Sequence, residues 1–131
     1  MITNIENEVY NSIFNACSPS CKVVKGYPRT TSEFPCITFE EKINTSHDQS
    51  ADSAGEFAND ITYEINIFSN SRTPISECTP LRVLVDGVMS GTYRMRRTFS
   101  DVVPNYQDKN IYRYLIRYQC VVDKNNKIYR R

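Results

Sequence analysis

Residues 110–122, NIYRYLIRYQCVV, constrain the fold more than any other stretch of the chain. Tyr112, Tyr114, Ile116, Tyr118, Cys120 and Val122 fall at every second position, which predicts one face of a long β-strand. The alternate positions carry Ile111, Arg113, Leu115, Arg117, Gln119 and Val121, apolar and charged together. A strand with such a mixed second face belongs in the middle of a sheet or against a partner.

Other segments alternate in the same way. In residues 35–44, Ile37, Phe39 and Ile43 oppose Thr38, Glu40 and Lys42. In residues 56–69, Ile61, Tyr63, Ile65 and Ile67 oppose Thr62, Glu64 and Asn66, with Phe68 on the polar side. Residues 92–103 alternate through Tyr93, Met95, Arg97 and Phe99, and Lys22-Val23-Val24-Lys25 predicts a short strand. One-sided strands suit an antiparallel sheet covered on one face. Residues 45–55 (TSHDQSADSAG) have no period and predict a loop.

Two segments have helical period. In residues 3–17, Ile5, Val9, Ile13 and Cys17 form one stripe, and Thr3 and Glu6 have capping-box spacing. In residues 74–90 the stripe is Cys78, Leu81, Val85, Val88 and Met89, interrupted by Pro80. An interior proline costs a helix about 3 kcal/mol. Either Thr79 caps a helix that begins at Pro80, or a first turn from Pro74 kinks there; the first is preferred. Gly91 is the expected stop. The order is α-β-β-β-α-β-β, an α+β fold with two helices packed on a mainly antiparallel four- to five-stranded sheet. Residues 1–131 form a single domain, and 123–131 are expected to be a basic C-terminal tail.

The net charge is only +1, but it is divided. Residues 1–90 hold 6 Lys/Arg against 12 Asp/Glu (net −6), and residues 91–131 hold 10 against 3 (net +7). Two oppositely charged surfaces on one small domain favour head-to-tail contact between copies, or a basic face toward nucleic acid. The two parts can equally neutralise each other within one fold. The basic residues at issue are Arg94, Arg96, Arg97, Arg113 and Arg117, and the acidic ones lie in the 40–64 region, with Glu40 and Glu64 foremost. Their interleaved tyrosines suit a protein interface or base stacking.

Catalytic patterns are lacking. The single histidine, His47, stands in the polar loop without a local orienting group. Asp48 and Asp52 resemble part of a calcium loop, but Ser53 and Asn59 occupy the positions of its glycine and glutamate. Glu40 and Glu41 are strand neighbours and point to opposite faces. The five cysteines show no C-x-x-C pair, and an odd number without a signal-peptide pattern fits reduced thiols of an intracellular product. No metal or cofactor is expected.

In this order the segments resemble the tail terminator (tail completion) proteins of tailed bacteriophages. The carrying residues are the helix Ile5–Cys17, Phe34-Pro35-Cys36-Ile37-Thr38-Phe39, Tyr63-Glu64-Ile65-Asn66-Ile67-Phe68 and the helix around Leu81–Met89. Met95-Arg96-Arg97 and the strand Tyr112–Tyr118 complete the match, which spans residues 3–122. The resemblance implies a structural virion protein at the tail–neck junction, made in the bacterial host cytoplasm. It implies a ring, usually a hexamer, that caps the tail tube, ends its polymerisation and joins it to the head-side connector. Its implied partners are its own copies, the tail tube protein and a connector or neck protein, with DNA passing through the lumen and no membrane. Arg94, Arg96, Arg97, Arg113, Arg117, Glu40 and Glu64 are then candidates for the subunit interface or lumen, and His47, Asp48 and Asp52 for contact with tube or neck. The alternatives are a head-completion adaptor or stopper, and a small nucleic-acid-binding module.

Overall fold

The computed structural model describes residues 5–26, 34–46, 58–104, 110–123, 125 and 127–130. The elements are α1 (Glu6–Cys17), β1 (Lys22–Lys25), β2 (Cys36–Ser46), β3 (Ala58–Ser69), α2 (Pro74–Asp86), β4 (Arg96–Val102), β5 (Tyr112–Asp123) and β6 (Ile128–Arg130). A π-helical turn, Gly87–Thr92, continues α2.

The six strands form one mixed sheet in the order β1-β2-β3-β5-β4. β1 runs parallel to β2, and the other pairs are antiparallel. The expected sheet of four to five strands therefore gains a strand at its end. Residues 128–130, read as tail, pair with Cys120, Val121 and Val122 of β5. The reason is local: the Asp123 carboxylate accepts the backbone N–H groups of Asn125 (2.8 Å) and Lys127 (2.9 Å), turning the chain back. β4 and β6 thus lie end to end along one edge of β5, which is central as its two-sided sequence requires.

α1 buries the stripe Ile5, Val9, Ile13 and Cys17 against the sheet. The Thr3 cap lies outside the described residues. α2 buries Cys78, Leu81 and Val85. It begins at Pro74, not at Pro80 as preferred from the sequence. Proline is tolerated at the first position because its missing donor would be unsatisfied there anyway. Thr79 is no cap: its hydroxyl donates back to the Ile75 carbonyl at 2.7 Å. Pro80 removes the bond to the Ser76 carbonyl, yet both residues are exposed, so water can replace it while the buried stripe holds the helix.

The helical path also overruns Gly91. Tyr93 N–H reaches the Val88 carbonyl at 3.0 Å and Met95 N–H the Met89 carbonyl at 2.9 Å, so the turn is widened rather than stopped. The left-handed residue that ends it is Arg94, at φ 57°. A side chain in that conformation costs about 1 kcal/mol that glycine avoids. Arg94→Gly is expected to stabilise the domain by about that amount, read as a higher denaturant midpoint at unchanged slope. A lower midpoint would mean that the Arg94 side chain contributes more than its backbone costs.

The core lies between the helices and one sheet face. Ile37, Phe39, Ile61, Tyr63, Ile65, Ile67, Ile116, Tyr118 and Cys120 supply the sheet side. Phe39 stacks on Tyr63 with ring centroids 5.1 Å apart, and Tyr10 of α1 lies 6.0 Å from Phe39.

Candidate assembly surface

The second face of the sheet is where the charged residues meet. Residues paired across strands share a face. Glu40 of β2 stands opposite Glu64 of β3, Glu64 opposite Arg117 of β5, and Arg117 opposite Phe99 of β4. The four form one row across the sheet. Glu64 is the buried member, 3% exposed. Its Oε1 lies 3.2 Å from Arg117 Nε, and its Oε2 accepts from Asn66 Nδ2 at 3.4 Å. Two carboxylates side by side would repel, and Lys42 relieves this by reaching Glu40 at 3.1 Å and Glu64 at 3.8 Å. The Arg117 guanidinium also lies 5.8 Å from the centroid of the Phe99 ring.

The neighbouring positions extend this surface. Arg113 Nε donates to Asn66 Oδ1 at 2.7 Å, and Asn66 is fully buried. Arg96 stands opposite Gln119 on the same face, exposed. Ile43, about half exposed, completes the row Ile43–Thr62–Gln119–Arg96.

Arg97 belongs elsewhere. It stands opposite Tyr118 on the helix-covered face, and its guanidinium is 3.4 Å from Asp86 of α2. The same Asp86 oxygen accepts from Tyr118 OH at 2.8 Å and from Ser90 Oγ at 3.0 Å. Burial, together with the bond to Asp86, pushes the Tyr118 hydroxyl well above the usual tyrosine range. Arg94 is exposed beside the π-helical turn. The sequence reading left these arginines to meet acidic residues of another copy, to face a lumen or nucleic acid, or to be neutralised within the fold. The structure brings Arg117 to Glu64, and Arg97 to Asp86, within one chain. His47, Asp48 and Asp52 lie outside the described residues.

Sequence reasoning missed Lys42, Phe99 and Asp86. Their partners follow from strand register and helix placement, which one sequence does not print. Glu41 was rightly separated from Glu40: it faces Tyr63 on the core side. Its Oε1 and the Tyr63 hydroxyl are both buried without a hydrogen-bond partner. Burial, reinforced by the Glu6 carboxylate, raises the Glu41 pKa; Asn44, Tyr63 and Lys25 act against this. Lys25 itself is held by Glu6 at 2.7 Å and by Asn7.

A carboxyl group with a raised pKa binds its proton more tightly in the folded chain than in the unfolded one. Its destabilising effect is fully present above the folded pKa and disappears as pH falls through the ordinary carboxylate range. Glu41→Gln is therefore expected to raise the denaturant midpoint at pH 7 and to leave it unchanged near pH 4. A gain equal at both values would point to packing rather than charge.

Burial holds four of the thiols in the protonated form. All five cysteines are free, and burial raises Cys17 and Cys78 to about 11 and Cys21 and Cys120 to about 12. Among the described residues no three His, Cys, Asp or Glu side chains are grouped to hold a metal. No helix of the described residues is long and apolar enough to cross a membrane.

The fold defines a class: a small α+β domain with two helices on one face of a six-stranded mixed sheet and a ladder of charged residues on the other. A chain in the structure of the virion of native gene transfer agent (GTA) particle is similar, with a TM-score of 0.59 and 9% sequence identity. The likeness covers 88% of this chain and 91% of that one, so it is one of whole domains. At that identity it is a likeness of fold. No family model and no curated protein matches the sequence.

Proposed function

We propose that this chain is a structural protein of a phage-like virion, and within the virion a tail terminator. Its copies close into a ring, a hexamer as the resemblance implies; the ring seats on the tail tube, ends its growth and meets the head-side connector. The role needs no catalytic group. The observation that carries this reading is the end-to-end likeness of fold to a virion chain, reached independently of the sequence resemblance.

A closed ring needs a heterologous interface, in which one patch meets a different patch on the next copy. Arg117 and Glu64 are engaged within the chain, so they add little free charge. Arg94 and Arg96, both exposed, and Arg113, which also donates to Asn66, form the basic side of the proposed contact, or line the lumen.

The test is the mass of the purified protein, alone and with tail tube protein, followed by tube polymerisation. The expected results are a discrete ring in electron microscopy and tubes whose growth halts when it is added. A monomer that leaves tube growth unaffected would overturn the reading. Binding to a head-side portal complex without capping would favour an adaptor or stopper.

A further inference from the structure

β4 closes one end of the strand order, and among the described strands it pairs with β5 alone. Most of its side chains are exposed. After the irregularity between Arg97 and Phe99, the segment Phe99–Val102 is regular. Such an edge offers backbone donors and acceptors to any extended chain laid beside it, although the Val102 N–H is held by the Asp101 carboxylate at 2.7 Å, a bond an added strand would have to replace.

A cleft of about 220 Å³ opens between this strand and α2. Arg82, Val83 and Asp86 line it from the helix, Arg97 and Ser100 from β4, and Tyr118 from β5. Its charge is unbalanced, with two guanidinium groups to one carboxylate. Asp86 is already engaged by Tyr118, Ser90 and Arg97. Arg82 is held over the Tyr114 ring at 3.9 Å, which fixes the group without neutralising it. The flanks are apolar: Val83 of α2 is 67% exposed and Val102 of β4 49%.

We infer that the β4 edge and the adjoining cleft bind an extended acidic segment of another protein, which adds a strand beside Phe99–Val102 and turns a carboxylate toward Arg82 and Arg97. An added strand would lie about 4.8 Å beyond β4, with every second side chain on the cleft side. A glutamate there can reach the guanidinium groups, and its apolar neighbours can cover Val83 and Val102. A second copy fits less well. The opposite edge of the sheet is β1, Lys22-Val23-Val24-Lys25, whose lysines face arginines if the edges meet. This inference does not depend on ring formation.

The probe is a short peptide alternating valine and glutamate, with its lysine counterpart as control. Both are titrated into the isotope-labelled full chain while backbone amide resonances are followed. The expected result is that only the glutamate peptide shifts Phe99–Val102, and that Arg82→Glu and Arg82→Gln each weaken it about tenfold or more, worth about 1.4 kcal/mol. Having two variants guards against a folding defect in one. Equal binding of both peptides, or no shift at millimolar peptide, would overturn the inference. So would displacement of the peptide by a DNA duplex at the same amides. Protection of these amides that grows with protein concentration alone would assign the edge to a second copy instead.

Discussion

Arg117→Ala is expected to lower the unfolding free energy by about 2–3 kcal/mol, most of it through Glu64 rather than through the arginine. The Arg117 side chain is 49% exposed and the Glu64 side chain only 4%. Water therefore takes over the arginine's interactions easily, while the carboxylate stays in the sheet without its nearest cation. Lys42, at 3.8 Å, limits the loss. Glu64→Gln should cost less, because the amide is neutral and keeps an acceptor for Arg117. In the Glu64→Gln background, removing Arg117 should then have little further effect, since no buried charge is left behind. Denaturant titration of the four proteins measures this. A loss below about 0.5 kcal/mol for Arg117→Ala alone would mean that the row Glu40–Glu64–Arg117–Phe99 is ornament on a stable sheet. The result also governs any test of assembly: charge reversal at Arg117 would damage the fold first, so Arg96 and Arg94 are the cleaner probes of a subunit contact.

The faces of the strands were legible in the sequence where alternation runs unbroken, and not beyond a bulge: Ile43, grouped with Ile37 and Phe39, lies on the charged face opposite Thr62, and Phe99, grouped with Arg97, lies there opposite Arg117. Ile37 with Phe39, Ile61 with Tyr63, and Tyr114 with Tyr118 all lie where alternation puts them. Register was not legible. It depends on irregularities between Glu41 and Ile43 and between Arg97 and Phe99, and it decides that Glu64 meets Arg117 in its own chain. β6 was missed because Ile128–Arg130 is too short to show a period, and its signal was the turn at Asp123 instead. Pro80 misled because an interior proline is costly in isolation, whereas here an exposed position and a buried stripe contain the cost. Of the charged row, Glu40, Glu64 and Arg117 were picked out from the sequence, while Lys42, Phe99 and the pairing among them were not. The segments that carry the resemblance explain why: Ile37, Phe39, Tyr63, Ile65 and Ile67 are core residues, so what they report is a fold.

The same point gives the other large expected effect. Phe39→Ala should cost about 3–5 kcal/mol, the range for removing a buried aromatic ring. Phe39 is fully buried, stacked on Tyr63 and touched by Tyr10 of α1. The hole cannot fill without moving α1 or β3. Against the 5–15 kcal/mol that holds a typical domain together, this is a large fraction. Phe99→Ala makes the comparison within one residue type. Phe99 is 40% exposed on the other face, with Arg117 above its ring. Its removal should cost about 1 kcal/mol or less. If Phe99 is also part of a contact surface, the variant should lose binding while keeping its denaturant midpoint, whereas Phe39→Ala should lose its midpoint and, in consequence, everything else. Equal midpoints for the two variants would contradict the assignment of core to the helix-covered face.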